Sequence, residues 1–307
     1  MTGLPVAYSP HSGIDIGRHV FPTHKYALIA ERLLAAGVIR AGDMLEPQPA
    51  SEAEVFGVHE PGYATRLRDG TLSLDEIARI EMPWSPALAD FAWRAAGGTV
   101  AMARAALDTG LAAHIGGGFH HAFPDHGEGF CALHDVAIAA QCLLDEQRVT
   151  RILIVDLDVH QGNGSAAIFA GEPRVTTFSM HQENNYPRIK PPSDLDIGLE
   201  DATAGPAYLA HLRGALPRLL EQTQAEVVFY VAGVDPYIED QLGGLALTLD
   251  DLAERDRYVI DTSRDAGAAV MVCLAGGYAR RLEDTVTAHA RTVELAADRL
   301  RREREKR

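Results

Sequence analysis

The most informative stretch of the chain is Arg151–Gly164, which reads Arg-Ile-Leu-Ile-Val-Asp-Leu-Asp-Val-His-Gln-Gly-Asn-Gly. Its branched apolar run, Ile152–Val155, is typical of a strand that is buried on both faces of a parallel sheet. Asp156, Asp158 and His160 follow at alternate positions, and alternate side chains of an extended chain point the same way. Carboxylates so close together repel each other unless a cation lies between them. The stretch therefore predicts a metal site at the end of a strand. A polar strand end that leads into a helix N-cap is the alternative, but it leaves the adjacent acids unexplained.

Apolar strands alternate with helices along the whole chain. The predicted strands are Val6–Tyr8, Leu111–Ile115, Ile152–Val155, Val175–Phe178, Val227–Ala232 and Ala269–Leu274. The predicted helices are His24–Ala36, Ala87–Thr109, His134–Gln147, Pro206–Thr223, Leu249–Arg264 and Leu282–Leu300. This alternation predicts an α/β fold of three layers, α/β/α, around a central, mostly parallel sheet. Because no repeat or linker interrupts it, we expect one domain over residues 1–307.

Three further segments have a less regular pattern. Val58–Tyr63 suggests another strand-to-helix junction. Gln182–Asp201 is polar and contains three prolines, which favours a long loop. The charged tail Arg301–Arg307 is expected to fray at the end of the last helix.

The composition is that of an ordinary globular protein, with 47% hydrophobic and 23% charged residues. A net charge of −15 argues against general affinity for nucleic acid. No apolar run approaches the ~20 residues of a membrane span, and no signal peptide is evident at the start. Three widely spaced cysteines indicate a reducing compartment. We therefore expect a cytoplasmic protein without nucleic-acid or membrane partners, and its oligomeric state stays open.

Five predicted strands lead into unusual polar side chains. These are His120 and His121, then Asp156, Asp158 and His160, then Ser179 and His181, then Asp235, and finally Tyr278. Ligands of open parallel α/β sheets bind outside the carboxyl ends of the strands. We therefore expect these groups to face one crevice.

Asp158, His160 and Asp235 would form a three-ligand metal site. Catalytic zinc sites keep three protein ligands and leave one position open for water or substrate. Two carboxylates and an imidazole suit zinc and would also accept iron(II) or cobalt(II). The alternative for Asp235, which precedes Pro236, is a helix N-cap.

His120 and His121 follow three glycines, and imidazoles beside a metal are suited to proton transfer. Tyr278 follows Gly276-Gly277 and could donate a hydrogen bond to a developing oxyanion. Taken alone, the histidine pair could decorate a surface and the tyrosine could belong to a turn. The glycines fit neither a dinucleotide-binding fingerprint nor a P-loop.

Five motifs occur in a fixed order: Gly-Gly-Gly-Phe-His-His, Asp-Leu-Asp-Val-His-Gln-Gly-Asn-Gly, Ser-Met-His, Gly-Val-Asp-Pro and Leu-Ala-Gly-Gly-Tyr. Together they resemble the zinc-dependent histone deacetylase family of the arginase–deacetylase superfamily. The resemblance extends from Val6 to about Leu300. The His160–Gly164 segment and Phe21-Pro22…Lys25-Tyr26 are most similar to the class IV branch and to bacterial histone deacetylase-like amidohydrolases.

The resemblance implies hydrolysis of an N-acyl-lysine amide by a metal-activated water. It implies that Asp158, His160 and Asp235 hold one Zn²⁺. It also implies a structural K⁺, whose ligand positions match Asp156, Ser179, Met180 and the backbones of Asp158 and His160. Gly129 and Phe130 match one wall of an acyl-lysine tunnel. Asn184-Asn185-Tyr186 departs from the aromatic pattern of class I enzymes, which leaves the acyl-chain preference open.

The resemblance also implies a role for each catalytic side chain. His121 would act as base and then acid, and His120, backed by Asp156, would be its electrostatic partner. Tyr278 would donate to the oxyanion. In class I relatives an Asp backs the second histidine, whereas this chain has Asn163 there. A neutral amide orients an imidazole without favouring its cation, so we predict a neutral His121 with a lower pKa than an Asp-backed imidazole.

Three rival functions differ in the residues that they require. A binuclear manganese hydrolase of the arginase type needs carboxylates where this chain has Gly162 and Tyr237. An acetylpolyamine amidohydrolase would share the same machinery and differ in its amine. A non-catalytic metal-binding partner of a regulatory complex would not need an intact Tyr278. The expected substrate is therefore an acyl-lysine peptide or protein, or a small acylated amine.

Overall fold

The computed structural model describes residues 3–306, which contain eight strands and ten α-helices. The strands are β1 Val6–Tyr8, β2 Met44–Leu45, β3 Leu111–Ile115, β4 Ile152–Asp156, β5 Val175–Gln182, β6 Leu195–Leu199, β7 Val227–Val231 and β8 Ala269–Cys273. The helices are α1 Lys25–Ala35, α2 Glu52–Phe56, α3 Pro61–Asp69, α4 Leu74–Ile80, α5 Pro86–Thr109, α6 Asp135–Asp145, α7 Asn163–Ile168, α8 Gly205–Thr223, α9 Leu249–Asp265 and α10 Leu282–Glu305.

All eight strands form one sheet in the order β2-β1-β3-β8-β7-β4-β5-β6. Every neighbouring pair is parallel. Each residue of the central strands β3, β8, β7 and β4 is buried, as expected for strands covered on both faces. The expected α/β fold with a parallel sheet is confirmed.

The helices form the two outer layers. One group contains α2, α3, α5 and α6, in which α5 packs on α6 and on β1, β3 and β8. The other contains α1, α8, α9 and α10, in which α9 packs on β8 and α10 on β3. The sheet therefore lies between two helical layers, and its apolar strands form the middle of the core.

The strand order places the reactive segments side by side. β4 is the next strand after β3 along the chain, yet β8 and β7 lie between them in the sheet. Parallel pairing puts the carboxyl ends of β3, β8, β7, β4 and β5 at one edge. The five segments that carry polar side chains after these strands consequently open onto the same side.

Two sequence predictions of local structure are wrong. Val58–Tyr63 contains no strand: it joins α2 to α3, and Pro61 occupies the first turn of α3, where its missing N–H costs nothing. Gln182–Asp201 contains the edge strand β6, in which Leu195, Ile197 and Leu199 face inward more than their polar neighbours. Three prolines precede the strand, and they made the whole segment resemble a loop in the sequence.

Two element ends also differ from expectation. β5 continues through Ser179, Met180 and His181 to Gln182, whereas the sequence predicted that the strand ends at Phe178. The tail does not fray over 301–305, because α10 continues to Glu305 and Arg302 donates to Asp261 of α9 at 2.9 Å. Arg307 lies outside the described residues, as do Met1 and Thr2. No helix within residues 3–306 is long and apolar enough to cross a membrane, and the three cysteines are free and buried.

A buried arginine ties the helical layer to the sheet edge. Arg255 of α9 is fully buried, and its Nε donates to Asp256 Oδ1 at 2.8 Å. Its Nη1 donates to the carbonyl oxygens of Leu157 at 3.1 Å and Gly233 at 2.7 Å. These carbonyls belong to the segments that follow β4 and β7. One guanidinium therefore holds two strand ends at a fixed separation.

Replacing Arg255 with Met should strongly destabilise the protein. The change leaves the Asp256 carboxylate buried without its cation, and removing one partner of a buried pair costs ~3–5 kcal/mol. Arg213→Met is the matched control, because Arg213 pairs with Glu254 at the surface and such pairs contribute below ~1 kcal/mol. Urea unfolding measures both variants, and equal losses would contradict the role of Arg255.

Candidate active site

Two carboxylates and one imidazole meet at the end of β4 and β7. Ligand atoms of Asp158, His160 and Asp235 all lie within 4.8 Å of one another, and all three residues are buried. His160 Nδ1 is 3.0 Å from Asp158 Oδ1 and 3.5 Å from Asp235 Oδ2. The structure thus brings together the three residues that the sequence assigned to a metal.

The backbone reason for this convergence differs from the sequence argument. β4 ends at Asp156, so Asp158 and His160 lie in the bend after the strand and not in an extended chain. The bend is held by the carboxylates themselves. Asp158 Oδ1 accepts from the backbone N–H of His160 at 3.0 Å, and Asp235 Oδ1 accepts from that of Val159 at 2.8 Å.

The remaining oxygens favour a cation. Asp235 Oδ2 is buried and has no hydrogen-bond partner. Burial and the nearby charge of Asp158 raise the pKa of Asp235. Burial alone would lower the pKa of His160, but Asp158 and Asp235 outweigh it and raise that pKa to about 10. A divalent cation would satisfy both carboxylates and displace the imidazole proton, so the donor set fits a metal.

Gly276, after β8, allows this close approach. A Cβ at this position would lie 2.0 Å from Asp235 Oδ2 and 2.5 Å from Asp158 Oδ2. Instead, the Gly276 N–H donates to Asp158 Oδ2 at 2.8 Å. Any side chain at 276 would therefore push the two carboxylates out of place.

The tandem histidines lie beside this group and have different partners. His120 Nδ1 donates to Asp156 Oδ2 at 2.6 Å, and the two side chains are almost completely buried. Burial opposes the cationic form of His120, but the charges of Asp156 and Asp158 prevail and raise its pKa to about 9. The carboxylates around His120 therefore favour its cationic form.

His121 is the neutral member of the pair. Its Nδ1 is 2.6 Å from Asn163 Oδ1, and the side-chain Nδ2 of Asn163 donates to Glu128 Oε1 at 2.8 Å. Burial, followed by the positive charges of His120 and His160, lowers the pKa of His121 well below its usual value. The hydrogen bond to Asn163 opposes this shift, so burial, and not the amide, is the main cause of the lowered pKa. The comparison with an Asp-backed imidazole stays a prediction.

Tyr278 completes the group from the segment after β8. Its ring is buried, and its backbone N–H donates to Asp240 Oδ2 at 2.7 Å. Burial, with the charges of Asp158 and Asp235, raises the pKa of the phenol well above its usual value. The hydroxyl is therefore protonated and available as a donor.

A cavity of about 180 Å³ joins these groups. Its lining includes His120, His121, Asp158, His160 and Tyr278.

Gly129 and Phe130, the predicted tunnel residues, line the same cavity. Phe130 has φ of +66°, a strained value for a residue with a side chain. Its N–H donates to the Ile80 carbonyl at 2.9 Å. Its ring packs edge-on against those of Phe21 and Tyr278. The backbone strain accordingly serves to turn an aromatic ring toward the cavity.

Asn185 and Tyr186, which belong to the segment that departs from the class I aromatic pattern, also line the cavity. The Tyr186 ring lies edge-on to His121, with centroids 5.0 Å apart. Its hydroxyl donates to Glu128 Oε1 at 2.8 Å.

Ser179, Met180 and His181 lie next to β4 but not on the cavity lining. Ser179 pairs in register with Asp156, and its hydroxyl is 2.9 Å from His181 Nδ1. Met180 is fully buried in β5. The expectation that Ser179 and His181 join the crevice is therefore not met: neither lines the cavity, and their side chains contact each other.

A comparison with known families identifies the group to which this chain is related. The family described as the histone deacetylase domain matches residues 19–293. The chain belongs to the histone deacetylase family. This match covers nearly the whole sheet and every residue of the site described above.

Several relatives and one solved structure agree with this assignment. An uncharacterized protein of Picosynechococcus sp. is 43% identical over 96% of this chain and 99% of its own length. Histone deacetylase 2 of Arabidopsis thaliana is 29% identical over 87% of this chain and 73% of its own. The acetoin utilization protein AcuC of Staphylococcus aureus is 26% identical over 85% and 73%. The crystal structure of the HDA15 HD domain superposes with a TM-score of 0.81 at 20% identity, covering 97% of this chain and 88% of that one, and shows the same fold.

Three residues of this histone deacetylase site were not foreseen as functional. Lys25 is fully buried, and its Nζ donates to the Ala275 carbonyl at 2.9 Å beside the Tyr278 ring. Burial lowers its pKa to about 8, although nearby carboxylates oppose the shift. Glu128 and Asp240 act through hydrogen bonds to Asn163 and Tyr278. Lys25 lies in the segment that resembles the class IV branch, but no role was assigned to it. No local pattern marks Glu128 or Asp240, because the partners Asn163 and Tyr278 lie far away in sequence.

Replacing Asp235 with Asn should have opposite effects with and without metal. In the metal-free protein it removes one of two repelling carboxylates, and we expect a gain of about 1 kcal/mol, the equivalent of roughly one pKa unit. Zinc affinity should fall more than ~100-fold, because even outer partners of metal ligands contribute ~10–100-fold. Thermal unfolding before and after zinc addition, with a competing chelator, measures both quantities.

Asp240→Asn is the control for this prediction. Asp240 is a buried carboxylate that accepts backbone N–H groups and is not a member of the metal-ligand group. It should lose stability in both states and keep its zinc affinity. An Asp235→Asn protein that is less stable without metal and still binds zinc tightly would refute the assignment.

Proposed function

We propose that this chain is a zinc-dependent hydrolase of the amide bond in N-acyl-lysine, with residues 1–307 forming one deacetylase domain. The observation that supports it best is the shared cavity. Asp158 and His160 line the same cavity as His121, a neutral imidazole, and Tyr278, a protonated phenol. A ligand atom of Asp235 lies within 4.8 Å of those of Asp158 and His160.

Asp158, His160 and Asp235 would hold the zinc ion, with His160 contributing Nδ1. When bound, Zn²⁺ supplies a Lewis acid for the acyl carbonyl and lowers the pKa of a water. Asp156, Ser179, Met180 and the backbones of Asp158 and His160 are the proposed K⁺ ligands. The register of Asp156 against Ser179 in adjacent strands supports this second site.

The two histidines would divide the proton chemistry. His121 is a neutral imidazole whose Nε2 carries a lone pair. It would take the proton of the attacking water and later give it to the leaving amine. His120 stays cationic against Asp156 and offsets negative charge that develops nearby. Two groups of one type acquire different roles because their environments move their pKa values apart.

Tyr278 would donate a hydrogen bond from its hydroxyl to the oxyanion that forms from the acyl carbonyl. Asp240 fixes the backbone that carries it. Phe21 and Phe130 pack against the Tyr278 ring and exclude water from its surroundings. The same rings offer an apolar surface to the methylene groups of an acylated lysine.

An acylated polyamine is the second candidate substrate. Glu81 lines the cavity, and a carboxylate there would attract a further amine cation. The two candidate substrates differ on the amine side of the scissile amide, where a polyamine carries a further cation and an acyl-lysine continues into a peptide backbone.

The decisive experiment is an assay of zinc-loaded protein. Lysine peptides that carry acyl chains of two to fourteen carbons should be compared with N-acetylated polyamines. Turnover of the peptides supports the proposal and ranks the acyl chains, while turnover of polyamines alone supports the second candidate. A metal-loaded protein that hydrolyses none of them would be a non-catalytic binding protein.

The Tyr278→Phe variant should lose about 10²–10³-fold in kcat, the usual effect of removing one oxyanion donor. Zinc affinity should not change, because the phenol is not a metal ligand. Steady-state kinetics together with zinc titration would test this. A variant that keeps kcat would show that the oxyanion is stabilised by another group.

The Asn163→Asp variant should shift the acid limb of the pH profile. A base is active when neutral, so kcat/KM falls as pH drops through its pKa. An added carboxylate favours the imidazolium form and should raise the His121 pKa by ~1 unit or more, which moves the limb to higher pH. Because Asn163 donates to Glu128, the measurement is cleanest with Glu128→Gln as well. An unmoved limb would contradict the assignment of His121 as base.

A further inference from the structure

Two hydrogen bonds lead from His121 through Asn163 to a carboxylate, and a third joins that carboxylate to Tyr186. His121 Nδ1 contacts Asn163 Oδ1 at 2.6 Å, and Asn163 Nδ2 donates to Glu128 Oε1 at 2.8 Å. Tyr186 OH donates to the same oxygen at 2.8 Å. Asn163 is 1% exposed, so water cannot replace its protein partners.

The chemistry of the three groups fixes the direction of these bonds. A carboxylate only accepts hydrogen bonds, so Glu128 requires the NH₂ of Asn163 on its side. The amide oxygen must then face His121, and an oxygen only accepts. His121 Nδ1 must therefore carry the hydrogen, which leaves the lone pair of Nε2 for the cavity.

The opposite amide orientation shows what Glu128 prevents. With Asn163 turned over, its NH₂ would donate to Nδ1, and the hydrogen of the neutral ring would move to Nε2. Such a ring cannot accept a proton at Nε2. That orientation would also place the amide oxygen against the Glu128 carboxylate, which has no hydrogen to offer. Asn163 alone permits both orientations, whereas Glu128 permits one.

We propose that Glu128 is a positioning residue, which orients the Asn163 amide and thereby holds His121 in the Nδ1–H tautomer. The inference rests on the proposed function of His121 as base. Glu128 touches neither the metal-ligand group nor the reacting atoms. Its side chain is 25% exposed, which keeps the carboxylate partly hydrated while one oxygen is used by Asn163 and Tyr186.

The first test reads the tautomer directly. Long-range ¹H–¹⁵N correlation spectra of zinc-loaded, ¹⁵N-histidine-labelled protein distinguish hydrogen-bearing ring nitrogens from bare ones, and the His121→Gln spectrum assigns the signals. The wild type should show His121 with hydrogen on Nδ1 alone. Glu128→Gln, whose amide can accept or donate, should give a mixture of tautomers. Wild-type protein with hydrogen on Nε2 would overturn the proposal even if every variant failed to fold.

Tyr186→Phe separates positioning of Asn163 from support of the cavity wall. It removes the second donor to Glu128 and leaves the Asn163 bond intact. The tautomer should stay unchanged, while KM rises because the Tyr186 ring loses its anchor. If Tyr186→Phe produced the same mixture of tautomers as Glu128→Gln, Glu128 would act through the wall, and the proposal would fail.

The second test is a kinetic cycle with Asn163→Asp. In the Asn163 background, Glu128→Gln should lower kcat by about 10-fold, as for outer partners of a catalytic group. With Asp at 163, either carboxylate oxygen can accept from Nδ1–H, so the orientation of the side chain no longer matters. Glu128→Gln should then leave kcat unchanged, or raise it by relieving the repulsion between Glu128 and Asp at 163. An equal loss in both backgrounds would indicate a purely structural residue. Because the spectra require no substrate, an inactive wild type with the Nδ1–H tautomer would refute the proposed function and not this inference.

Discussion

The repulsion between two buried carboxylates, Asp158 and Asp235, is the constraint on which the rest of the site depends. They come from segments after adjacent strands, and the fold does nothing to separate them. Gly276 can approach both carboxylates because it lacks a side chain. Arg255 donates hydrogen bonds to the carbonyls of Leu157 and Gly233, which lie in the segments that carry the two carboxylates. A rigid sheet edge thus enforces a distance that the charges oppose. A divalent cation bound between the two carboxylates would relieve this repulsion, which would therefore contribute to metal affinity.

The carboxylates of this site also influence the pKa values of the histidines and the tyrosine beside them. Asp156 and Asp158 keep His120 cationic despite its burial. The positive charge of His120, added to the effect of burial, lowers the pKa of His121, so the proposed base is tuned by its neighbour as well as by its own burial. Tyr278 responds in the opposite sense, because burial and the nearby carboxylates hold its proton in place. Fold, metal ligands and proton donors are consequently not independent features. Each depends on the placement of charge at the ends of parallel strands.

The sequence predicted most of this arrangement because strand periodicity and the rule for parallel sheets act over short distances. The ends of β4, β7 and β8 could be located from apolar runs, and parallel pairing then implied that their polar residues meet. The extended-chain argument predicted that Asp158 and His160 lie close together, but it assumed the wrong geometry, since they lie in a bend. The sequence did not predict the features that become recognisable only beside residues distant in the chain. β6 has ordinary alternation but follows prolines, Arg255 sits among charged residues that resemble a solvated helix face, and Glu128 has meaning only beside Asn163 and Tyr186.

The two tandem histidines finally show how one residue type can serve two purposes. His120 contacts a carboxylate directly, so it receives both orientation and positive charge from Asp156. His121 contacts an amide, and the carboxylate of Glu128 lies one hydrogen bond further out. Orientation passes along such a chain undiminished, because each donor must face an acceptor. Charge does not, because the Coulomb interaction weakens with distance and Glu128 is partly hydrated. Inserting an amide between imidazole and acid therefore orients the base without making it a cation.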